Sequence, residues 1–105
     1  MSEITASYYE GLLRRLQDPE QATAYLNAAL EDGDQEVFLL ALRDVAEARG
    51  MARVAQDAQL NRENLYRMLS RQGNPQLMSL VALLKSMGLR LSIEVEPAPQ
   101  LDTVP

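Results

Sequence analysis

Asn61, Arg62, Glu63, Asn64 and Arg67 fall within seven consecutive positions, and their side chains suit the edges of bases and the phosphates between them. Arg62 and Arg67 can each offer a bidentate pair to guanine or clamp a phosphate. Asn64 can pair with adenine, and Glu63 can accept from cytosine; a good bidentate pair discriminates by about 1–3 kcal/mol. The surrounding stretch, 51–70, carries Val54, Ala55, Ala58, Leu60, Leu65 and Met68 at the inward positions of a helix-turn-helix. Arg53 to Ala58 is expected as the supporting helix, Gln59 and Leu60 as the turn, and Asn61 as the cap of a recognition helix reaching about Leu69. Leu60, Leu65 and Leu69 would fasten that helix, with Tyr66 packing at its rim. Arg53 belongs to the same DNA-binding set, and Arg49, Arg53 and Arg71 flank the motif where they would meet phosphates. Many such motifs place glycine at the turn; glutamine there costs on the order of 1 kcal/mol. The plainer reading of the same residues is two packed helices with solvated charges.

Other chemistry finds little support. Cysteine and histidine are both absent, which removes disulfides, thiolate sites and the commonest general base and metal ligand. Asp44 and Glu47 stand one helical turn apart, the usual look of a solvated face, and no nucleophile–base pair or phosphate loop accompanies them. No enzyme activity, metal, cofactor or small-molecule substrate is therefore expected. No apolar run is long enough to span a bilayer, and the opening MSEITASYYE lacks the parts of a signal peptide. A cytoplasmic protein without a membrane partner is the expectation.

The net charge of −5 is unevenly divided. Residues 1–47 carry −7, residues 48–90 carry +5, and residues 91–105 carry −3. Phosphate contacts depend on the local field, which salt screens within about 10 Å. The basic block coincides with the helix-turn-helix, so two surfaces of opposite sign suggest two kinds of partner.

The remaining elements must position that motif. With 105 residues, nearly half of them apolar, the chain suits one domain with a modest core, expected over 8–96 between a flexible 1–7 and a flexible tail 97–105. Tyr8, Leu12 and Leu16, with Tyr9 and Leu13, predict a short amphipathic helix. Asp18-Pro19-Glu20-Gln21 reads as a helix start with a capping box, followed by the stripe Ala22, Tyr25, Leu26, Ala29, Leu30. Gly33 stops that helix. Asp34 caps the next, which turns Val37, Phe38, Ala41, Leu42 and Val45 inward and ends at Gly50. Beyond the Gly73-Asn74-Pro75 loop, Leu77, Leu80, Val81, Leu84 and Met87 line a further helix closed by Gly88. The fold class is mainly α, a bundle of about five to six helices.

One segment breaks the helical period. Leu89, Leu91, Ile93 and Val95 alternate with Arg90, Ser92, Glu94 and Glu96, the pattern of a short half-buried C-terminal strand. One strand cannot satisfy its own amides. Its partner is expected to be the same strand of a second copy, giving a homodimer; packing on its own helices or pairing with residues 1–7 are the alternatives.

The chain as a whole resembles a known family. DPEQATAYLNAALEDGDQEVFLLALRDVAEARGM, VAQDAQLNRENLYRMLSRQGNPQL and LLKSMGLRLSIEVEP are similar to the addiction module antidote proteins, HigA-like antitoxins with a lambda-repressor-type helix-turn-helix. The similarity runs from about Tyr8 to Pro97, and YLNAALEDGD and NRENLYRMLS are its most specific parts. Gln59 departs from the glycine usual at the family's turn. The resemblance implies a bacterial type II toxin–antitoxin system: an antitoxin that silences a RelE/HigB-like mRNA-cleaving toxin and binds double-stranded operator DNA to repress its own operon. The family's recognition helix maps onto Asn61, Arg62, Glu63, Asn64 and Arg67. No motif fixes the toxin contacts; the acidic first half suits a basic toxin, and Tyr8, Leu12 and Leu16 could add apolar anchors or pack on their own domain. A regulator without a toxin, and a helical interaction module that never meets DNA, fit the same residues.

Overall fold

The computed structural model describes residues 3–98; residues 1–2 and 99–105, which take in most of the expected tail, lie outside the described residues. The helices are α1 (Glu3–Arg15), α2 (Pro19–Asp32), α3 (Gln35–Arg49), α4 (Met51–Asp57), α5 (Arg62–Met68) and α6 (Leu77–Ser86). α1 starts before Tyr8, so residues 3–7, expected to be flexible, are its first turn. They contain no glycine or proline to stop a helix.

Side-chain caps set the next two starts. Asp18 accepts from the Glu20 amide at 3.0 Å, with Pro19 in the first turn, and Asp34 accepts from the Glu36 amide at 2.9 Å. The capping box expected at Gln21 does not close, because the Asp18 amide already donates to the Arg15 carbonyl. Gly50 serves as both the last cap of α3 and the first of α4, at φ 98°, a backbone setting that disfavours any side chain. The two helices therefore meet at a single residue.

α3 is the hub. α1, α2 and α4 all pack on it, and α4 in turn carries α5 and α6. Leu16, Leu26, Leu39, Leu42, Val45, Val54, Leu65 and Leu83 form the centre of one continuous core. On α2, α3 and α6, three expected inward residues are exposed. Leu30 and Val37 flank the Gly33 turn between α2 and α3, and Leu77 is the first residue of α6. Leu39, Ala46 and Leu83 take inward places in their stead.

Asp44 is not on a solvated face: it is 6% exposed. The Tyr25 hydroxyl donates to its Oδ2 at 2.6 Å and the Tyr9 hydroxyl to its Oδ1 at 3.4 Å. One carboxylate thus ties α1 and α2 to α3. Hydrogen bonds to a charged acceptor contribute about 1.5–3 kcal/mol, which offsets part of the burial cost.

The expected strand over Leu89–Val95 is absent, and no strand occurs among the described residues. Leu89 donates its amide to the Leu84 carbonyl and packs against the core. From Arg90 onward the chain is exposed, with Ile93 at 99% and Val95 at 94%. A ladder needs a second strand, and the described residues offer none to segment 89–98.

Burial first, and then Asp44, raises the Tyr9 and Tyr25 hydroxyls above their ordinary value of 10.0. A raised folded value means the tyrosines contribute fully below about pH 10 and lose that contribution as pH climbs past it. Tyr25→Phe is expected to cost about 1–3 kcal/mol at neutral pH. Its deficit against wild type should narrow above pH 10, as urea unfolding at stepped pH will show.

Candidate nucleic-acid interface

The turn between α4 and α5 decides where the polar face of 61–67 points. Gln59 adopts φ 61°, the single positive-φ residue other than glycine among those described. Its left-handed backbone lets the Leu60 amide reach back to the Ala55 carbonyl at 2.8 Å, the closing bond of a Schellman turn. The strain expected of a glutamine at this position is therefore present, on the order of 1 kcal/mol. α4 begins at Met51, two residues before the expected Arg53, because Gly50 already breaks α3.

Asn61 then caps α5, its Oδ1 accepting from the Asn64 amide at 2.7 Å. That use of its carbonyl makes Asn61 a positioning residue, with its amide nitrogen and the second lone pair of Oδ1 left for other contacts. Leu65 is fully buried, Leu69 is nearly so, and Tyr66 lies half-buried against the core. The Arg43 guanidinium sits over the Tyr66 ring at 5.5 Å, a cation–π contact that links α5 to α3.

With that side of α5 fastened, Asn61, Arg62, Glu63, Asn64 and Arg67 are all exposed. Arg67 donates from Nη1 to Asn64 Oδ1 at 3.1 Å, which holds the two side chains as one unit. The side chains of Arg62 and Glu63 form no hydrogen bond or ion pair among the described residues. The face is a row of donors and acceptors on a helix braced from behind.

A family described as "probable addiction module antidote protein" matches residues 9–95. The chain belongs to this family. A protein of Haemophilus influenzae, described as uncharacterized, is 37% identical over 79 residues, covering 75% of this chain and 81% of its own length. No solved structure matches. The antidote match spans the α1–α3 hub as well as the helix-turn-helix, so both belong to the family's shared unit.

Around α5 the flanking arginines differ in kind. Arg53 is exposed, with Asp57 3.8 Å away on the same helix. Arg71 is paired with Glu36 in a short hydrogen-bonded ion pair, so a phosphate contact would have to compete with that carboxylate. Arg49 departs furthest from expectation. Its Nε and Nη2 are buried without a hydrogen-bond partner, turned into a small cleft among Arg53, Val54, Asp57 and Ser86. In that position Arg49 does not present those nitrogens to a phosphate.

The apolar trio named for a toxin does not survive as a surface. Leu16 is 2% exposed and in the core, Leu12 packs against that core, and Tyr8 alone is open at 67%. Leu12 and Leu16 lie on the buried side of α1, and Tyr8 stands apart from them in the open.

Sequence reasoning missed the bracing residues. Gln35 donates to the Gly73 carbonyl at 2.9 Å, and Glu36 pairs with Arg71, so the start of α3 holds the loop after α5. A Cβ at Gly73 would stand 2.2 Å from the Met68 carbonyl oxygen, which requires glycine there. Among the described residues no group of His, Cys, Asp and Glu could hold a metal ion, and no helix is long and apolar enough to cross a membrane.

Gln59→Gly should relieve the left-handed strain and raise stability by about 0.5–1 kcal/mol, while Gln59→Val should lower it by more than about 1 kcal/mol. Urea midpoints of the two variants check the sign.

Proposed function

We propose that this chain is the antitoxin of a type II toxin–antitoxin pair: it represses its own operon through α5 and neutralises a RelE/HigB-like mRNA-cleaving toxin by direct binding. The observation that carries the DNA half is the exposed row Arg62, Glu63, Asn64 and Arg67 on a helix whose other side is buried. Such a helix fits the major groove, where these side-chain types read base edges. The +5 charge of residues 48–90 supplies the field that draws the motif to a duplex. Arg53 is the better placed of the flanking arginines for phosphate, and Arg71 joins it once released from Glu36. Two copies on a palindromic operator would place their α5 helices about 34–36 Å apart.

Support for the toxin half is family membership together with charge. Glu10, Asp18, Glu20, Glu31, Asp32 and Asp34 are exposed on α1, α2 and the turn before α3. An RNA-cleaving toxin carries a basic surface, and opposite fields speed its encounter with this one.

Arg62→Ala with Arg67→Ala is expected to weaken binding to the DNA upstream of its own gene on the order of 100-fold. Both residues are exposed, so stability should change by less than about 0.5 kcal/mol. Gel shifts across a salt series decide the matter: a double variant that binds like wild type, with the same salt slope, removes α5 from the interface. Glu31→Lys, Asp32→Lys and Asp34→Lys together should weaken capture of the toxin encoded beside this gene, read by co-purification. Absence of a neighbouring basic toxin would leave a regulator without that partner.

A further inference from the structure

A buried cation without a partner is the least balanced group in this fold. Arg49 Nε and Nη2 are shut from solvent and hydrogen-bonded to nothing, and the cleft they line is closed by α4 and by Ser86 at the end of α6. The two nitrogens lie along one edge of the guanidinium, with parallel N–H bonds that match two oxygens of a single oxyanion. Leaving such a fork desolvated and unpaired is costly. Asp57 lines the same cleft, but its carboxylate stands 3.8 Å from Arg53, one helical turn back on α4.

The other groups decide which anion fits. The cleft has a volume of about 120 Å³, many times the roughly 10–15 Å³ that one water needs, so it takes an ion of a few heavy atoms. Arg53 adds a second cation. Asp57 and Ser86 present acceptors, because the Ser86 hydroxyl has already donated its proton to the Leu83 carbonyl at 2.6 Å. A fully ionised oxyanion such as sulfate would set oxygen against oxygen there. An oxyanion that keeps an O–H can donate to them instead. Asp57 and Ser86 also line the wider groove beside the cleft, where exposed Lys85 adds a positive field.

We propose that this cleft is a binding site for inorganic phosphate, with two oxygens of the protonated ion on the Arg49 fork and its O–H on Asp57. A phosphate fixed in a duplex cannot reach the buried fork, but a free ion can. Bound there, it ties the last residue of α3 to the last residue of α4 across Gly50. The site involves neither DNA nor toxin, so its failure would leave the operator and toxin readings untouched.

The test titrates the full chain with sodium phosphate by isothermal calorimetry, near neutral pH and at constant ionic strength, with sodium sulfate in parallel. Phosphate should bind with a Kd of about 1 mM, and sulfate at least about tenfold more weakly. Arg49→Lys keeps the charge but loses the fork, and should weaken phosphate about tenfold. Asp57→Asn removes the repelling charge and adds an N–H donor, so the preference for phosphate over sulfate should shrink to within about threefold. The Asp57 side chain is 47% exposed, so this variant decides the matter should Arg49→Lys unfold. No phosphate binding at about 20 mM, equal affinity of the wild type for phosphate and sulfate, or wild-type affinity in Arg49→Lys would each overturn the proposal. Uptake of phosphate by Asp57→Asn but not by the wild type would assign the fork to Asp57 itself, and would overturn it too.

Discussion

A helix of seven residues does not hold together in water on its own, since nucleation is unfavourable and few bonds follow it. α4 and α5 are each that short. They exist because Met51, Val54, Ala55, Leu65 and Leu69 are buried in a core they share with α3 and α6. Everything the exposed row on α5 can do rests on that burial, for it fixes the helix in place and orients its outer face. The Asn61 cap and the Gln59 turn refine the orientation, but they could not create it.

The core in turn is organised by α3, and its charges divide the molecule. On one side the acidic α1–α2 region is drawn onto α3 by a buried carboxylate under two tyrosines. On the other, Arg43 over Tyr66 and Glu36 against Arg71 connect the same helix to α5 and the loop after it. The ion pair is exposed and worth little in stability. Its importance lies in placement, because it spans the seam between the acidic and the basic halves. A cation–π contact on the surface has a similar modest strength. Together these contacts position the loop and helix that would face a duplex without adding much to the stability of the fold.

Much of this was legible in the residues. Apolar period, Asp18 and Asp34 as caps, and glycine stops placed the helices because local chemistry alone decides such features. The exposed set on α5 was legible for the same reason: Leu65 and Leu69 define the inner side, so the outer side follows. Asp44 was misread, since its sequence spacing from Glu47 says nothing about Tyr9 and Tyr25, which are 35 and 19 residues away. Arg49 was misread likewise, as its burial depends on α6 lying nearby. Leu30 and Val37 have perfect helical spacing yet stand exposed on either side of the Gly33 turn. Alternation over 89–95 was read correctly as a pattern, but a pattern becomes a strand only when another strand is present.

Gly50 carries a mechanical implication. Because α3 and α4 share that one residue as their joint, the chain has no slack between the part that would grip a toxin and the part that would grip a duplex. A load that tilts α3 must tilt α4 with it, or else be absorbed by rotation at a single hinge whose backbone tolerates little besides glycine. Two bound partners would therefore feel each other through a rigid lever and not through a loose tether.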